Sequence, residues 1–313
     1  KMENLDIELI KSHREIYLPS ICFYSKRVSN SYFLPKISRF INKYLYKIGL
    51  GSHLNRYDNS FSIYSSFADK KLYSKYNKSD IFINFGSGSF FHNKWKNYDY
   101  PGQSKYYKSL QGIEKKDFYA IDLCSKSLVI PEKDNSVSLI YCSHTMEHLE
   151  QDSAKRFLFE CLRILKPKGI LRMILPNTKN SFYNFKVLNS QTKDLDNIKE
   201  KYIKYLASQV LTDMSLLSIE ELKDLFSLAK DESEDFFLLG KEKYKSSTEF
   251  DKNNPDRHIS YWDIENLVNF TSNIGFSYCI PSFQGSSVAA PFSNNRVFDN
   301  TEPQISFYAD IVK

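Results

Sequence analysis

The chain has 313 residues, 42% hydrophobic and 26% charged, and length alone gives a prior of about two structural units. This composition excludes wholesale disorder, collagen and coiled coil, and no run reaches the roughly 18 apolar residues that a membrane span needs. No charged segment followed by an apolar stretch opens the sequence, so no secretory leader is expected. Five cysteines, Cys22, Cys124, Cys142, Cys161 and Cys279, are odd in number, widely spaced and without a Cys-x-x-Cys pair. They point to reduced thiols in a cytoplasmic protein and against a structural zinc site.

The net charge of +6 is unevenly placed. Residues 1–78 hold 14 Lys and Arg against 6 Asp and Glu, a net of +8, so the remainder sums to 6 − 8 = −2. A basic quarter raises the question of nucleic acid. No RNP, zinc-finger or P-loop pattern accompanies it, and no nucleic-acid partner is expected.

The first region, 1–78, reads as helices and loops. Its clearest piece runs from Pro35 to Gly49, with apolar residues at 37, 40, 41, 44, 45 and 48 on one helical face. Pro35 suits the first turn and Gly49 the stop. Lys36, Arg39, Lys43 and Lys47 form a basic stripe beside that face. Two readings stand side by side: a docked helix with a solvated face, or contact with an anionic membrane surface or a phosphate-bearing substrate.

From residue 79 the pattern changes to short apolar runs. Strands are expected at Asp80–Phe85, at Lys96–Asp99, at Phe118–Leu123, at Ser138–Ser143 and at Ile170–Pro176. A helix over 151–166 carries apolar positions 154, 157, 158, 161, 162 and 165. Buried strands joined by crossovers imply an α/β, Rossmann-like, mostly parallel sheet with helices on both faces. Residues 178–257 are polar and mainly helical, an insertion or lid. After a loop near Asp251–Asp256, a helix at 261–274 and strands at 276–283 and 305–312 complete the core sheet within 258–313. The expected divisions are therefore 1–78, 79–177, 178–257 and 258–313.

A strand, then Gly86-Ser87-Gly88, then an acidic residue at a second strand end is a nucleotide-type pattern. The glycines let a ligand approach the backbone, and an end-of-strand carboxylate accepts from ribose hydroxyls. Position 91 is Phe, so the full dinucleotide fingerprint is absent.

The surroundings are more specific. Ile83-Asn84-Phe85-Gly86-Ser87-Gly88 followed by Trp95-Lys96-Asn97-Tyr98-Asp99 resembles class I S-adenosylmethionine-dependent methyltransferases, in particular a branch associated with bacterial surface-polysaccharide biosynthesis. Ala120-Ile121-Asp122-Leu123, the stretch Ile130–Tyr141, His144-Thr145-Met146-Glu147-His148-Leu149 and Glu160–Gly169 resemble further motifs of that branch in the same order. The likeness covers about 80–176, with a weaker tail over 255–312. Ser87 and Ser138 depart from the usual residues, the latter putting one polar contact in doubt, and the connection from Gly88 to Asp99 is short.

The resemblance implies S-adenosylmethionine as cofactor. Gly86, Ser87 and Gly88 would flank its methionine part, Asp99 its ribose, Asp122 and Leu123 its adenine, and Ser143 and His144 would sit beside the sulfonium. The implied activity is methylation of an oxygen on a sugar or related polar group in cell-surface glycan assembly. A small phosphorylated metabolite as acceptor, or a non-catalytic scaffold with this fold, is the alternative. An alcohol acceptor needs a base, for which His144 and His258 are the candidates; His148 reads as structural. His144-Thr145-Met146-Glu147-His148 also fits an inverted zincin pattern. That chemistry wants both histidines on one helix, whereas the first here ends a strand, so no metal is assigned; a magnesium-assisted sugar methyltransferase stays open. The oligomeric state is not legible.

Overall fold

The computed structural model describes residues 40–42, 44–45, 48, 50–54, 61–65, 72–88, 92, 94–101, 118–191, 197–230, 232–244, 248–294, 297–299, 301 and 305–313. Residues 40–42 and 44–45 are helical, as the periodicity predicts. The apolar face is not docked throughout: Phe40, Tyr44 and Ile48 are 63%, 52% and 67% exposed. Lys36, Arg39, Lys43 and Lys47 lie outside the described residues.

Helices and loops do not account for the rest of this region. Strands β1 (Leu50–Leu54) and β2 (Phe61–Ser65) pair antiparallel. Phe61-Ser62-Ile63 alternates apolar and polar, but Tyr64-Ser65 breaks the alternation, so the period-two signal of a strand is too short to read. The Asn42 side chain, from the helix, bonds both the amide and the carbonyl of Ser52 and ties the hairpin to it.

The main sheet has seven strands: β3 (Ile81–Phe85), β4 (Trp95–Asp99), β5 (Phe118–Ala120), β6 (Val137–Ser143), β7 (Leu165–Pro176), β8 (Tyr278–Ser282) and β9 (Ser306–Val312). Their order is β5-β4-β3-β6-β7-β9-β8. All neighbours pair parallel except β9, which runs antiparallel to both β7 and β8. Strand β5 is shorter than predicted, because Asp122 accepts a hydrogen bond from the Cys124 amide and turns the chain out of the sheet. Helix α1 (Gln151–Ile164) buries Ala154, Phe157, Leu158, Cys161 and Ile164 in the sheet's core.

Much of the motif over 130–166 is a clamp around α1. Arg163 bonds Glu160, Asp134 and the carbonyls of Ile130 and Glu132, while Glu160 accepts from the Ile130 amide. Ser138, the residue whose polar contact was in doubt, donates to Asp80 at 2.5 Å, and Lys166 pairs with the same carboxylate.

The insertion carries its own core. Helices α2 (Thr178–Gln191), α3 (Asn197–Val210), α4 (Ile219–Leu228) and α5 (Ser233–Lys243) follow β7. Phe182, Phe185, Phe226 and Phe236 pack ring against ring, with centroids 4.6–6.1 Å apart. This cluster extends to Tyr261, past the expected boundary at 257. Helix α6 (Ile264–Ile274) starts on Asp263, which accepts from the Asn266 amide, and stops at Gly275 with φ +111°.

Candidate active site

In an open α/β sheet the ligand crevice lies beyond the strands' carboxyl ends, where neighbouring strands lead away to opposite sides. Here that point is between β3, which leads to β4 and β5, and β6, which leads to β7. A pocket opens there.

Gly86 and Gly88 form one wall, with φ +61° and +52°, a backbone region that favours glycine. A Cβ at Gly86 would fall 1.9 Å from Thr145 Oγ1, so the loop presses against the turn after β6. Asp99 closes the turn: its carboxylate accepts from the Gly88 amide at 2.6 Å and from the Tyr100 amide at 2.7 Å. Asp122 and Leu123 line the pocket beyond Asp99.

The opposite wall comes from the end of β6 and from the segment after the insertion. His144 sits at φ +49°, a strained conformation for a residue with a side chain, at the sheet's carboxyl edge. Its amide donates to the Ile174 carbonyl at 2.9 Å. Its Nε2 is hydrogen-bonded to Ser306 Oγ at 2.9 Å, and its Nδ1 lies 3.1 Å from Glu147 Oε1. His148, Pro255 and Asp256 complete this wall.

Glu147 is buried behind the wall, 1% exposed. Its carbonyl accepts from the amides of Ile259 and Ser260, which pins the segment carrying His258 against the turn. The insertion holds the same segment, since the His258 amide donates to Thr212 Oγ1 at 2.7 Å. His148 Nε2 and His258 Nε2 lie 3.8 and 4.0 Å from Glu147 Oε1. Burial alone would raise the Glu147 carboxyl, but His148, His144 and His258 around it hold it below the ordinary carboxylate range. Burial, with His148 beside it, pushes the His258 ring down to about 4, so that ring is neutral at neutral pH.

Six of the residues expected from sequence therefore line one pocket: Gly86, Gly88, Asp99, Asp122, Leu123 and His144. Ser87 and Ser143 do not line it. Ser87 is buried and its amide donates to the Tyr98 carbonyl. His258 does not line it either and meets it through His148, with ring centroids 5.1 Å apart. The sequence reading takes His148 as structural, yet it lines the pocket, and gives Glu147, Thr145 and Asp256 no role in the site. Glu147 and His148 belong to the His-x-x-Glu-His motif; Asp256 carries no local signal.

The family model described as a methyltransferase domain matches residues 101–173, which span β5, β6, α1 and most of β7. No curated protein matches the chain in sequence. Among solved structures, a SAM-dependent methyltransferase from Aquifex aeolicus is 12% identical, with 79% of this chain and 90% of that one aligned at a TM-score of 0.34. One from Archaeoglobus fulgidus is 12% identical, covering 78% and 91% with a TM-score of 0.36. One from Mesorhizobium loti is 10% identical, covering 78% and 96%, also at 0.36.

The matched stretch is that of a methyltransferase domain, and the protein is an S-adenosylmethionine-dependent methyltransferase with a Rossmann-like core. The pocket fits that cofactor. Gly86 lets the loop close on Thr145, Gly88 presents bare backbone to the pocket, and Asp99 and Asp122, following successive strands, offer carboxylates to hydroxyl and amine donors.

Proposed function

We propose that the protein methylates an oxygen of a sugar or related polar acceptor in cell-surface glycan assembly. The observation that carries this reading is the wall facing Gly86 and Gly88, where the polar side chains of His144, His148 and Asp256 stand beside Phe250 and Pro255. Such a wall suits a hydroxylated acceptor, and the imidazoles supply a proton acceptor within the pocket. The glycan context itself rests on the motif resemblance over 80–176.

Bound S-adenosylmethionine supplies a methyl group already activated on a sulfonium. The protein's own work is alignment and proton removal. Asp99 shapes the glycine loop and sets the position of that wall. The segment 250–256, at the end of the helical insertion, lines the side read here as the acceptor side with Phe250, Pro255 and Asp256. The insertion thereby governs acceptor choice.

Incubation of the full chain with S-adenosylmethionine carrying a labelled methyl group tests this reading. Label should appear on glycan fragments or nucleotide sugars. Label confined to small phosphorylated metabolites favours the alternative acceptor, and cofactor binding with no transfer to any acceptor favours a scaffold.

Exposed Phe40, Tyr44 and Ile48 favour a further element of this reading, peripheral contact with an anionic membrane surface. Among the described residues no helix is long and apolar enough to cross a membrane. Changing Lys36, Arg39, Lys43 and Lys47 together to Glu should abolish association with anionic liposomes while leaving cofactor affinity unchanged. Equal liposome association in both proteins removes the membrane role.

A further inference from the structure

We propose that Glu147, His148 and His258 bind a divalent first-row transition-metal ion in the wall of the methyl-transfer pocket. Their donor atoms lie within 4.8 Å of one another. The inference that the ion serves methyl transfer rests on the function proposed above; the inference that the ion binds does not.

Two independent observations point to a cation. The first is Glu147 itself. It is 1% exposed, and neither of its carboxylate oxygens accepts a hydrogen bond among the described residues. His144 Nδ1 approaches Oε1 to 3.1 Å, but without the alignment of a hydrogen bond. A buried carboxylate left so is costly unless a positive charge faces it.

The second observation is the tautomer of the two histidines. His148 Nδ1 lies 2.9 Å from the Arg257 carbonyl oxygen, and His258 Nδ1 lies 3.2 Å from that of Gln209. A carbonyl only accepts, so both Nδ1 atoms carry the proton. In the neutral rings Nε2 then holds a lone pair, and both Nε2 atoms are turned toward Glu147. Lone pairs thus converge from two rings and a carboxylate. A backbone carbonyl on the far nitrogen is also the usual outer support of a metal-binding imidazole.

Donors about 2.0–2.2 Å from a metal stand about 3–3.5 Å apart in tetrahedral or octahedral shells. The observed 3.8 and 4.0 Å separations exceed this by about 0.3–1 Å and the donor set spans up to 4.8 Å, so the side chains must draw together around an ion. Two imidazoles and one carboxylate favour manganese, iron, cobalt or zinc over magnesium or calcium, which prefer oxygen shells. Three protein ligands leave positions open for water or an acceptor hydroxyl, and His148 lines the pocket where such a hydroxyl would enter. An ion there would make that hydroxyl more acidic. The competing arrangement is an imidazolium at His148 that donates to Glu147 and needs no metal.

The test uses the full chain after chelator treatment. Mn²⁺ is titrated and its free form followed by electron paramagnetic resonance; Co²⁺ is titrated and followed by its visible absorption. One saturable ion per chain is expected, with affinity reduced at least about tenfold in both Glu147→Gln and His258→Gln. Absence of saturable binding to the wild-type protein overturns the proposal whether or not the variants fold. Equal affinity in folded variants also overturns it, since the ion then sits elsewhere. Calorimetry with S-adenosylmethionine on the same chelated sample separates the two claims. Retained cofactor binding without metal binding defeats the metal site alone, and lost cofactor binding with intact metal binding defeats the functional reading alone.

Discussion

Gly86 and Thr145 meet so closely that one added carbon on Gly86 would lie 1.9 Å from the Thr145 hydroxyl oxygen. The glycine loop after β3 and the turn after β6 therefore fix each other's position, and the pocket between them is set by backbone contact. Gly86→Ala combines this collision with an unfavourable φ of +61°. It should cost about 3 kcal/mol of stability, from left-handed strain and overpacking together. Thermal melts of the variant and of the double variant Gly86→Ala/Thr145→Gly check this; the second change should recover part of the loss. A Gly86→Ala variant as stable as wild type would mean the loop and turn do not touch.

His144 reaches the pocket with Nε2 engaged by Ser306. If this ring takes the acceptor's proton, His144→Ala should lower turnover by roughly 10²–10⁴-fold with cofactor affinity unchanged. Ser306→Ala, which frees Nε2, should leave turnover within about tenfold of wild type, the loss of one neutral hydrogen bond. Single-turnover rates paired with calorimetry read both. Full activity in His144→Ala moves the base elsewhere.

His92 supplies a pH dependence. It is 5% exposed, stacks on Tyr73 and accepts the Lys94 amide at Nδ1. Burial, with Lys94 nearby, lowers its pKa from 6.5 to about 4. Between those values the unfolded chain takes up a proton that the native ring refuses. Its contribution to stability is therefore intact above about pH 6.5 and falls as pH drops toward 4, by at most about 1.4 kcal/mol per unit. Denaturant titrations from pH 7.5 to 4 should show a shallower decline for His92→Phe than for wild type. Parallel declines would show that this ring does not titrate as its burial requires.

Arg172 lies fully buried on β7 between Asp299 and Asp310, at 2.5 and 3.1 Å. Arg172→Met would leave two carboxylates buried without their cation, costing about 3–5 kcal/mol. Burial already raises the Asp299 carboxyl, so Asp299→Asn should cost less. Equal losses in chemical denaturation would contradict this division of charge.

How much of this was legible depends on whether a feature is local. Ile81–Phe85 announces a strand because four of its five residues are apolar, and Gly86 and Gly88 announce the turn, where both take a positive φ. The insertion's helices show through their spacing. The hairpin β1–β2 was hidden among Lys and Tyr residues, with only five residues per strand. Strand β5 ended early because one Asp122 hydrogen bond outweighs the apolar character of Ile121 and Leu123. The approach of His258 to Glu147 is set by the Ile259 and Ser260 amides bonding the Glu147 carbonyl. That is a tertiary contact, which no spacing along the chain encodes.

The pocket bounded by Gly86, Gly88, Asp99 and Asp122 is where S-adenosylmethionine should bind. Calorimetric titration of S-adenosylmethionine into the full chain and into Asp99→Ala tests it most directly. One site per chain is expected in wild type, with an affinity loss of about 1.5–3 kcal/mol in the variant, the range for a hydrogen bond to a charged group. No saturable binding to the folded wild-type chain, or the same affinity in a folded Asp99→Ala chain, would contradict it.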